Sequence, residues 1–436
     1  MTDAKTPEPV SPELRKVAER AKRNPEQKIL ALARLIDAPA LERAYRRLRK
    51  DAAVGVDGVT VDQYGQSLQG NLEVLLGRLK AGQYRHQPIR RVHIPKENGK
   101  TRPIGISTVE DKCVQGALRE VLEAVYEQDF LVCSFGFRPM RNPHDALRVL
   151  DREMRRGGCS VLEADIVSFF DSIDRKMLME MLRERIADES LMRLVGKCLH
   201  VGVLDGEQYS EPDVGTAQGS ALSPLLGNIY LHHVLDLWFE HVVKPRLRAR
   251  AVLVRFADDF VMCFERGDDA RRVEEALGKR LARFGLTLHP DKTRLLEFRP
   301  PSDGRGKGSA TFDFLGFTLH WQRTRRGSWR LGLRTRRVRL RRAAKAVADW
   351  CRGHLHWPVK AQHATLRRKL LGHYNYFGVS GNTRPLGGLY RRATLAWRRA
   401  LWRRSQRSRV SWKRFLVILR VFPLPPPRVM VQLWGV

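Results

Sequence analysis

Two short apolar runs, Ala251 to Val254 and Val261 to Phe264, flank Phe256-Ala257-Asp258-Asp259-Phe260. Short β-branched and aromatic runs on either side of a polar tip predict a β-hairpin, because a tight turn is where a chain exposes side chains it cannot bury. A further apolar strand begins at Ser160 and carries Asp165 to its end, after which the chain turns through Phe169 and Phe170 toward a helical run near Lys176 to Leu182. Near the N-terminus, Ser11 to Lys22 and Pro25 to Ile36 predict short helices, each with a polar N-cap just ahead of a Pro. Ala361 to Phe377 and Leu389 to Arg404 predict longer helices, and the prolines from Leu424 to Pro427 end helical structure. Ala52 to Gly58 predicts a turn, and Pro300 to Ser309 a flexible loop whose Arg305 and Lys307 are solvated.

Adjacent carboxylates at a turn repel one another, and a hard divalent cation such as Mg²⁺ removes the repulsion. An isolated Asp-Asp turn is also satisfied by water. Asp165, delivered to the end of its own strand, supplies a third carboxylate that can converge with Asp258 and Asp259. Carboxylates on neighbouring strands can clamp two metal ions about 3.5 to 4 Å apart, one activating an attacking hydroxyl and one stabilising a leaving oxygen. Triphosphate oxygens and water complete the octahedral shells.

Between the two acidic motifs, Gly215-Thr216-Ala217-Gln218-Gly219-Ser220-Ala221-Leu222-Ser223-Pro224-Leu225 and the following Leu226-Gly227-Asn228-Ile229-Tyr230-Leu231 resemble a stretch of bacterial group II intron reverse transcriptases. Ile94 to Ile106 resembles that family's fingers hairpin, and Ser134-Phe135-Gly136-Phe137-Arg138-Pro139 the block after it. Gly285, Leu286, Leu288 and Lys292 resemble the motif that closes the palm, and Phe314-Leu315-Gly316-Phe317 the primer grip. The blocks are collinear from about Leu41 to near the C-terminus.

The resemblance implies an α+β right-hand polymerase with mixed fingers, an RRM-like antiparallel palm and an α-helical thumb. The corresponding divisions are an N-terminal helical extension (1–40), fingers (41–158), palm (159–320) and a basic thumb or maturase region (321–436). It implies an RNA-directed DNA polymerase that extends a DNA or RNA primer on an RNA template with deoxynucleoside triphosphates and two Mg²⁺ ions, for which Mn²⁺ can substitute. Asp165, Asp258 and Asp259 are then the catalytic metal ligands, with the Ile166 backbone completing the set. Lys96 and Arg102 grip the triphosphate, the Arg through bidentate hydrogen bonds and the Lys as a point charge. Phe170 is the steric gate against a ribose 2′-hydroxyl, while Gln218 and Gly219 lie near the nascent base pair. Lys292 either protonates the leaving pyrophosphate or is solvated. Core packing is the alternative for Phe170 and for Phe314 to Phe317, and exposed hairpin charge the alternative for Lys96 and Arg102.

Two departures from the family's usual pattern stand out. Ala217 and Ser220 replace a Pro and a Gly, removing a fixed φ and a permissive position from the template loop. Phe256 replaces a Tyr, keeping the ring without its hydroxyl.

Charge distribution adds a nucleic-acid surface. The chain carries 80 Lys and Arg against 47 Asp and Glu, a net charge of +33. From Trp321 onward there are 29 basic residues against the single acid Asp349. Such a field tracks phosphates and releases counterions on binding. Arg334, Arg336, Arg337, Arg339, Arg341 and Arg342 are its densest run. Aromatics there, including Trp350, Trp357, Trp397, Trp402 and Trp412, either stack on bases or pack a helical core.

The six cysteines are scattered without C-x-x-C spacing and read as ordinary thiols. Intron-encoded relatives often end in a Cys/His-rich endonuclease module, and the expected form lacks it. No apolar run approaches the roughly 20 residues that span a bilayer, so no membrane partner and a bacterial cytoplasmic, nucleic-acid-associated location are expected. The alternatives are a maturase that binds a structured intron RNA with polymerisation secondary, or a reverse transcriptase recruited to host defence or repair. Oligomeric state is not set by the sequence.

Overall fold

The structure is a computed structural model that describes residues 11–95, 101–157, 160–211, 214–216, 218–301, 310–324, 326–404 and 410–434. Met1 to Val10, Lys96, Cys159, Ala217 and most of the loop from Pro300 to Ser309 therefore lie outside the described residues. The class is α+β.

The N-terminal part is built from helices α1 (Pro12–Arg23), α2 (Ala38–Arg46), α3 (Val61–Gly65) and α4 (Leu68–Lys80) around a hairpin and α5. Ser11 caps α1 as expected, accepting from the Leu14 N–H at 3.3 Å. Strands β1 (Ile89–Pro95) and β2 (Thr101–Ile106) pair antiparallel from Arg90↔Ile106 to Pro95↔Thr101. Helix α5 (Val109–Tyr126) buries Val114, Ala117, Leu118, Val121 and Leu122, and it is the spine of the largest core.

The second predicted N-terminal helix does not form. Pro25 to Ile36 runs instead through an isolated parallel bridge between Ile29 and Ile186 and a single 3₁₀ turn, Ala33–Leu35. The buried Arg185 guanidinium takes the carbonyls of Ala21, Asn24 and Gln27, and the Ile29 N–H donates to the Arg185 carbonyl at 2.8 Å. Ile29, Leu32, Leu35 and Ile36 are all buried, so the apolar positions are used, but by tertiary contacts that outcompete helix propensity.

The central sheet has the order β6-β7-β3-β8 and is antiparallel throughout. Its surroundings in chain order are α6 (Pro143–Arg155), β3 (Ser160–Asp165), α7 (Phe169–Ser172), α8 (Arg175–Arg185), α9 (Glu189–Leu199), β4 (Val203–Asp205) and β5 (Gln208–Ser210), the last two joining the β1–β2 hairpin. There follow α10 (Ser223–Leu231), β6 (Ala251–Phe256), β7 (Asp259–Phe264), α11 (Gly267–Ala282) and β8 (Arg294–Glu297). Alternate side chains serve two cores. Leu162, Ala164, Leu253, Phe260 and Met262 face the large helical core, whereas Val161, Val254, Val261 and Cys263 pack with Leu147 and Leu150 of α6. A sheet covered on both faces needs continuously apolar strands, which is why these runs lack polar alternation.

A three-stranded sheet follows, β9 (Phe312–Phe314), β10 (Phe317–Arg323) and β11 (Trp329–Thr335). Strand β10 crosses the boundary expected at His320–Trp321, and Arg334, the first of the basic run, sits on β11. Helices α12 (Arg337–Gly353), α13 (Val359–Phe377), α14 (Thr383–Trp402) and α15 (Trp412–Val421) enclose a third core around Leu366, Leu370, Tyr374 and Trp397. Trp397 is fully buried, while Trp357, Trp402 and Trp412 keep 46%, 37% and 49% of their surface exposed. The aromatics thus divide between core and surface. No described helix is long and apolar enough to cross a membrane.

Candidate catalytic carboxylate site

Strand register brings the carboxylates together. Asp165 at the end of β3 lies directly opposite Asp259, the first residue of β7, so the two side chains share one face. Phe256 pairs with Asp259, which leaves Ala257 and Asp258 as a two-residue hairpin loop. Ala257 has φ +58°, a left-handed conformation that a non-glycine residue adopts at a cost, and such strain persists only where its surroundings fix it.

Burial, foremost, and then the charges of Asp165 and Asp258 push Asp259 up to about 7, with the Leu315 backbone N–H pulling the other way. Asp258 is also raised, by burial first and by Asp165, with Arg102 and Lys292 partly offsetting. Lys292, whose side chain stays 59% exposed, ion-pairs with Asp165. With that ammonium in place, no three His, Cys, Asp or Glu side chains among the described residues close into a metal cage. The donor set nevertheless fits a hard divalent cation: it is all oxygen, and burial with mutual repulsion raises Asp258 and Asp259, a penalty that a bound cation would relieve. The Ile166 carbonyl is not consumed by the neighbouring chain, because the Ile166↔Leu288 bridge is closed by the Asp165 carbonyl and the Val167 N–H.

Phe169 is buried at 3% exposure, and Phe170 is only partly buried beside it, with ring centroids 5.1 Å apart. Gln218 joins two other motifs: its amide oxygen accepts from Arg102 Nε at 2.8 Å, and its amide nitrogen donates to Asp171 at 3.0 Å. Gly219 has φ +114°, and a Cβ there would lie 2.4 Å from the Gly105 carbonyl oxygen. The Gln218–Gly219 loop is therefore seated directly on β2. Lys96 falls outside the described residues.

At the expected primer grip, Leu315 and Gly316 form the β9–β10 turn with φ +52° and +77°. Phe314, Leu315 and Phe317 are all buried, and Gly316 is half-buried. Tyr376 of α13 donates to the Leu315 carbonyl at 3.0 Å, and the Arg336 N–H donates to the Gly316 carbonyl at 2.9 Å. Of the six arginines in the basic run, all are exposed, and Arg336 pairs with Asp313 at 2.9 Å.

Sequence reasoning passed over the group that holds the Ala257–Asp258 turn. Arg255, fully buried on β6, donates to Asp236 at 2.8 and 2.6 Å, to Asn228 at 2.8 Å, to Ser134 Oγ at 2.8 Å and to the Ala257 carbonyl at 3.2 Å. Asp236 lies on a π-helical turn, His232–Asp236, that continues α10. Such turns often mark functional sites. Asn228 in turn donates to the Gly136 carbonyl at 2.7 Å, and a Cβ on Gly136 would lie 2.4 Å from the Ala257 nitrogen. The available signal was a lone charge between Val254 and Phe256 in an otherwise apolar strand.

Comparison with known proteins agrees with this geometry. Residues 94–319 match the family model described as reverse transcriptase (RNA-dependent DNA polymerase). The chain is 34% identical over 353 residues to Protein YkfC of Escherichia coli K12, covering 73% of this chain and 90% of that protein. It is 39% identical over 193 residues to the group II intron-encoded protein LtrA of Lactococcus lactis subsp. cremoris, covering 44% of this chain and 32% of LtrA. It is 30% identical over 90 residues to nuclear intron maturase 1, mitochondrial, of Arabidopsis thaliana, covering 21% of this chain and 12% of that protein. A buried scaffold that aims strand-end carboxylates at one point, carried on a sequence that matches across half its length, establishes that the chain belongs to the reverse transcriptase family, in its group II intron type.

Proposed function

We propose that the protein extends a primer 3′-hydroxyl on an RNA template with deoxynucleoside triphosphates. The observation that carries this reading is the register Asp165↔Asp259 with Asp258 at the adjoining turn. Asp165, Asp258 and Asp259 would hold two Mg²⁺ ions, with the Ile166 carbonyl as a further ligand. Bound there, the ions lower the pKa of the attacking hydroxyl and stabilise the leaving oxygen. Arg102 and Lys96 draw the triphosphate toward the carboxylates, and Gln218 holds Arg102 until it arrives. Lys292, already beside Asp165, is placed to give a proton to the departing pyrophosphate. Phe170 occupies the space a ribose 2′-hydroxyl needs.

In this reading the β1–β2 hairpin with α5 forms fingers, the β6-β7-β3-β8 sheet a palm, and α12 to α15 a thumb. Primer extension on an RNA template tests it: the wild type should yield DNA with Mg²⁺ and none in its absence, whereas no product on any primed RNA would refute it. A second activity, folding of a structured intron RNA as a maturase, is supported by the intron-encoded relatives and by the basic residues of α12 to α14. Splicing assays with the cognate intron test that activity separately.

A further inference from the structure

Leu315 is a strained residue with both of its backbone polar groups engaged. Its φ is +52°, in the left-handed region, although it is neither Gly nor Asn, and it opens the turn between β9 and β10. Its N–H donates to the Asp259 carboxylate, and its carbonyl accepts from the Tyr376 hydroxyl at 3.0 Å. A non-glycine residue keeps such a conformation only where its surroundings fix it. Here the fixing groups are a candidate metal ligand on one side and a side chain of α13 on the other.

The hydroxyl is itself held in place. The Tyr376 ring stacks on Phe317, with centroids 6.0 Å and planes 14° apart, and it meets the Phe377 ring edge-on at 4.7 Å. The Tyr376 carbonyl accepts from His144 Nε2 of α6 at 2.8 Å. Burial raises the pKa of the hydroxyl, with Arg339 opposing and the Asp259 charge adding, so it stays a protonated donor. Two ring contacts and a backbone hydrogen bond thus aim the Oη–H at Leu315. Packing alone does not need that oxygen, because Phe377 packs against the same core with a bare ring.

We propose that Tyr376 is a positioning residue for the reaction, whose hydroxyl fixes the Leu315 peptide and through it the orientation of the Asp259 carboxylate. This rests on the polymerase reading, in which Asp259 holds a divalent ion. A carboxylate with one oxygen on a fixed N–H presents the other in a set direction, and an octahedral Mg²⁺ shell tolerates little misdirection. The same bond ties the acidic site to α13, whose Leu366, Leu370 and Tyr374 build the core of the basic helical unit.

The test uses the full chain with Tyr376→Phe, which removes one oxygen and keeps the ring, and Tyr374→Phe as its control. Tyr374 lies in the helical core and donates to the Pro425 carbonyl at 3.2 Å. Steady-state extension gives kcat and KM for a primed RNA template, calorimetry gives the Mg²⁺ affinity of the enzyme, and thermal unfolding reports the fold. Tyr376→Phe should lower kcat and weaken Mg²⁺ binding by about fivefold each, the contribution of one hydrogen bond, with KM for primed template within about twofold of wild type. Tyr374→Phe should leave kcat and Mg²⁺ affinity as they are, whatever it does to the unfolding temperature. Unchanged kcat and Mg²⁺ affinity in Tyr376→Phe would overturn the proposal. A lower kcat at unchanged Mg²⁺ affinity would overturn it too, by removing Asp259 from the route, and so would matching losses in both variants, the mark of a structural effect. If wild type extends no primer while Tyr376→Phe still weakens Mg²⁺ binding, the polymerase reading fails and the positioning stands. If wild type extends primers and Tyr376→Phe behaves like it, only the positioning fails.

Discussion

Arg255 and Asp236 are both fully buried, and the guanidinium of one meets the carboxylate of the other through two hydrogen bonds. The same guanidinium reaches the Ala257 carbonyl, so the charge pair underpins the strained turn that carries Asp258. Removing one partner of a buried pair leaves an uncompensated charge, typically a loss of about 3–5 kcal/mol, whereas replacing both by apolar residues is often neutral. Arg255→Ala should therefore lose roughly that much in denaturant unfolding. Arg255→Met with Asp236→Leu should recover most of the stability but not the primer extension, because a thioether cannot restore the hydrogen bonds to Ala257 and Asn228. Full activity in the double variant would show that the turn holds its shape unaided.

The hairpin, the Asp165 strand and the long C-terminal helices are legible in the sequence because each carries its own local signal, apolar runs or capped periodic segments. What local signals miss is set by distant partners. Pro25 to Ile36 has helical spacing, yet its Gln27 carbonyl accepts from Arg185 and its Ile29 backbone bonds Arg185 and Ala187, more than 150 positions away. Arg255 is visible as an odd charge in a strand, but nothing near it names Asp236. The aromatics at Phe314 and Phe317 suggest a ligand surface and are core, because the sheet they belong to packs on α6 and α13.

Phe170, the proposed sugar gate, stays partly exposed while Phe169 fills the core. Phe170→Ala or Phe170→Val should raise ribonucleotide over deoxynucleotide incorporation at least tenfold, about 1.4 kcal/mol of differential transition-state binding. Single-nucleotide extension with each triphosphate measures it. Wild-type discrimination in the variant would remove Phe170 from the gate.

RNA affinity should fall steeply with salt. Neutralising Arg337, Arg339, Arg341 and Arg342 should flatten the log–log dependence by roughly 0.7 to 0.9 for each phosphate that is no longer neutralised. An unchanged slope would mark the run as a solvated face.

His232 is buried, and burial first, with His233 and Arg255 adding, pulls it down to about 3. In the unfolded chain it titrates near 6.5. Below that pH the unfolded state binds a proton that the native state refuses, so the stability His232 contributes is whole above about 6.5 and is lost as pH falls toward 3. His232→Gln should flatten this part of the pH–stability curve by on the order of 3 kcal/mol between pH 7 and 4. Parallel curves for the two proteins would mean that His232 is protonated in the fold.

The polymerase assignment turns on whether Asp258 acts in chemistry and not in binding. Steady-state primer extension by Asp258→Asn, alongside its affinity for primed RNA, separates the two. Loss of a metal-binding carboxylate should lower kcat by at least a thousandfold, roughly 4 kcal/mol of transition-state stabilisation, with RNA affinity within threefold of wild type. Extension by Asp258→Asn within threefold of wild type would contradict the carboxylate site and the function built on it.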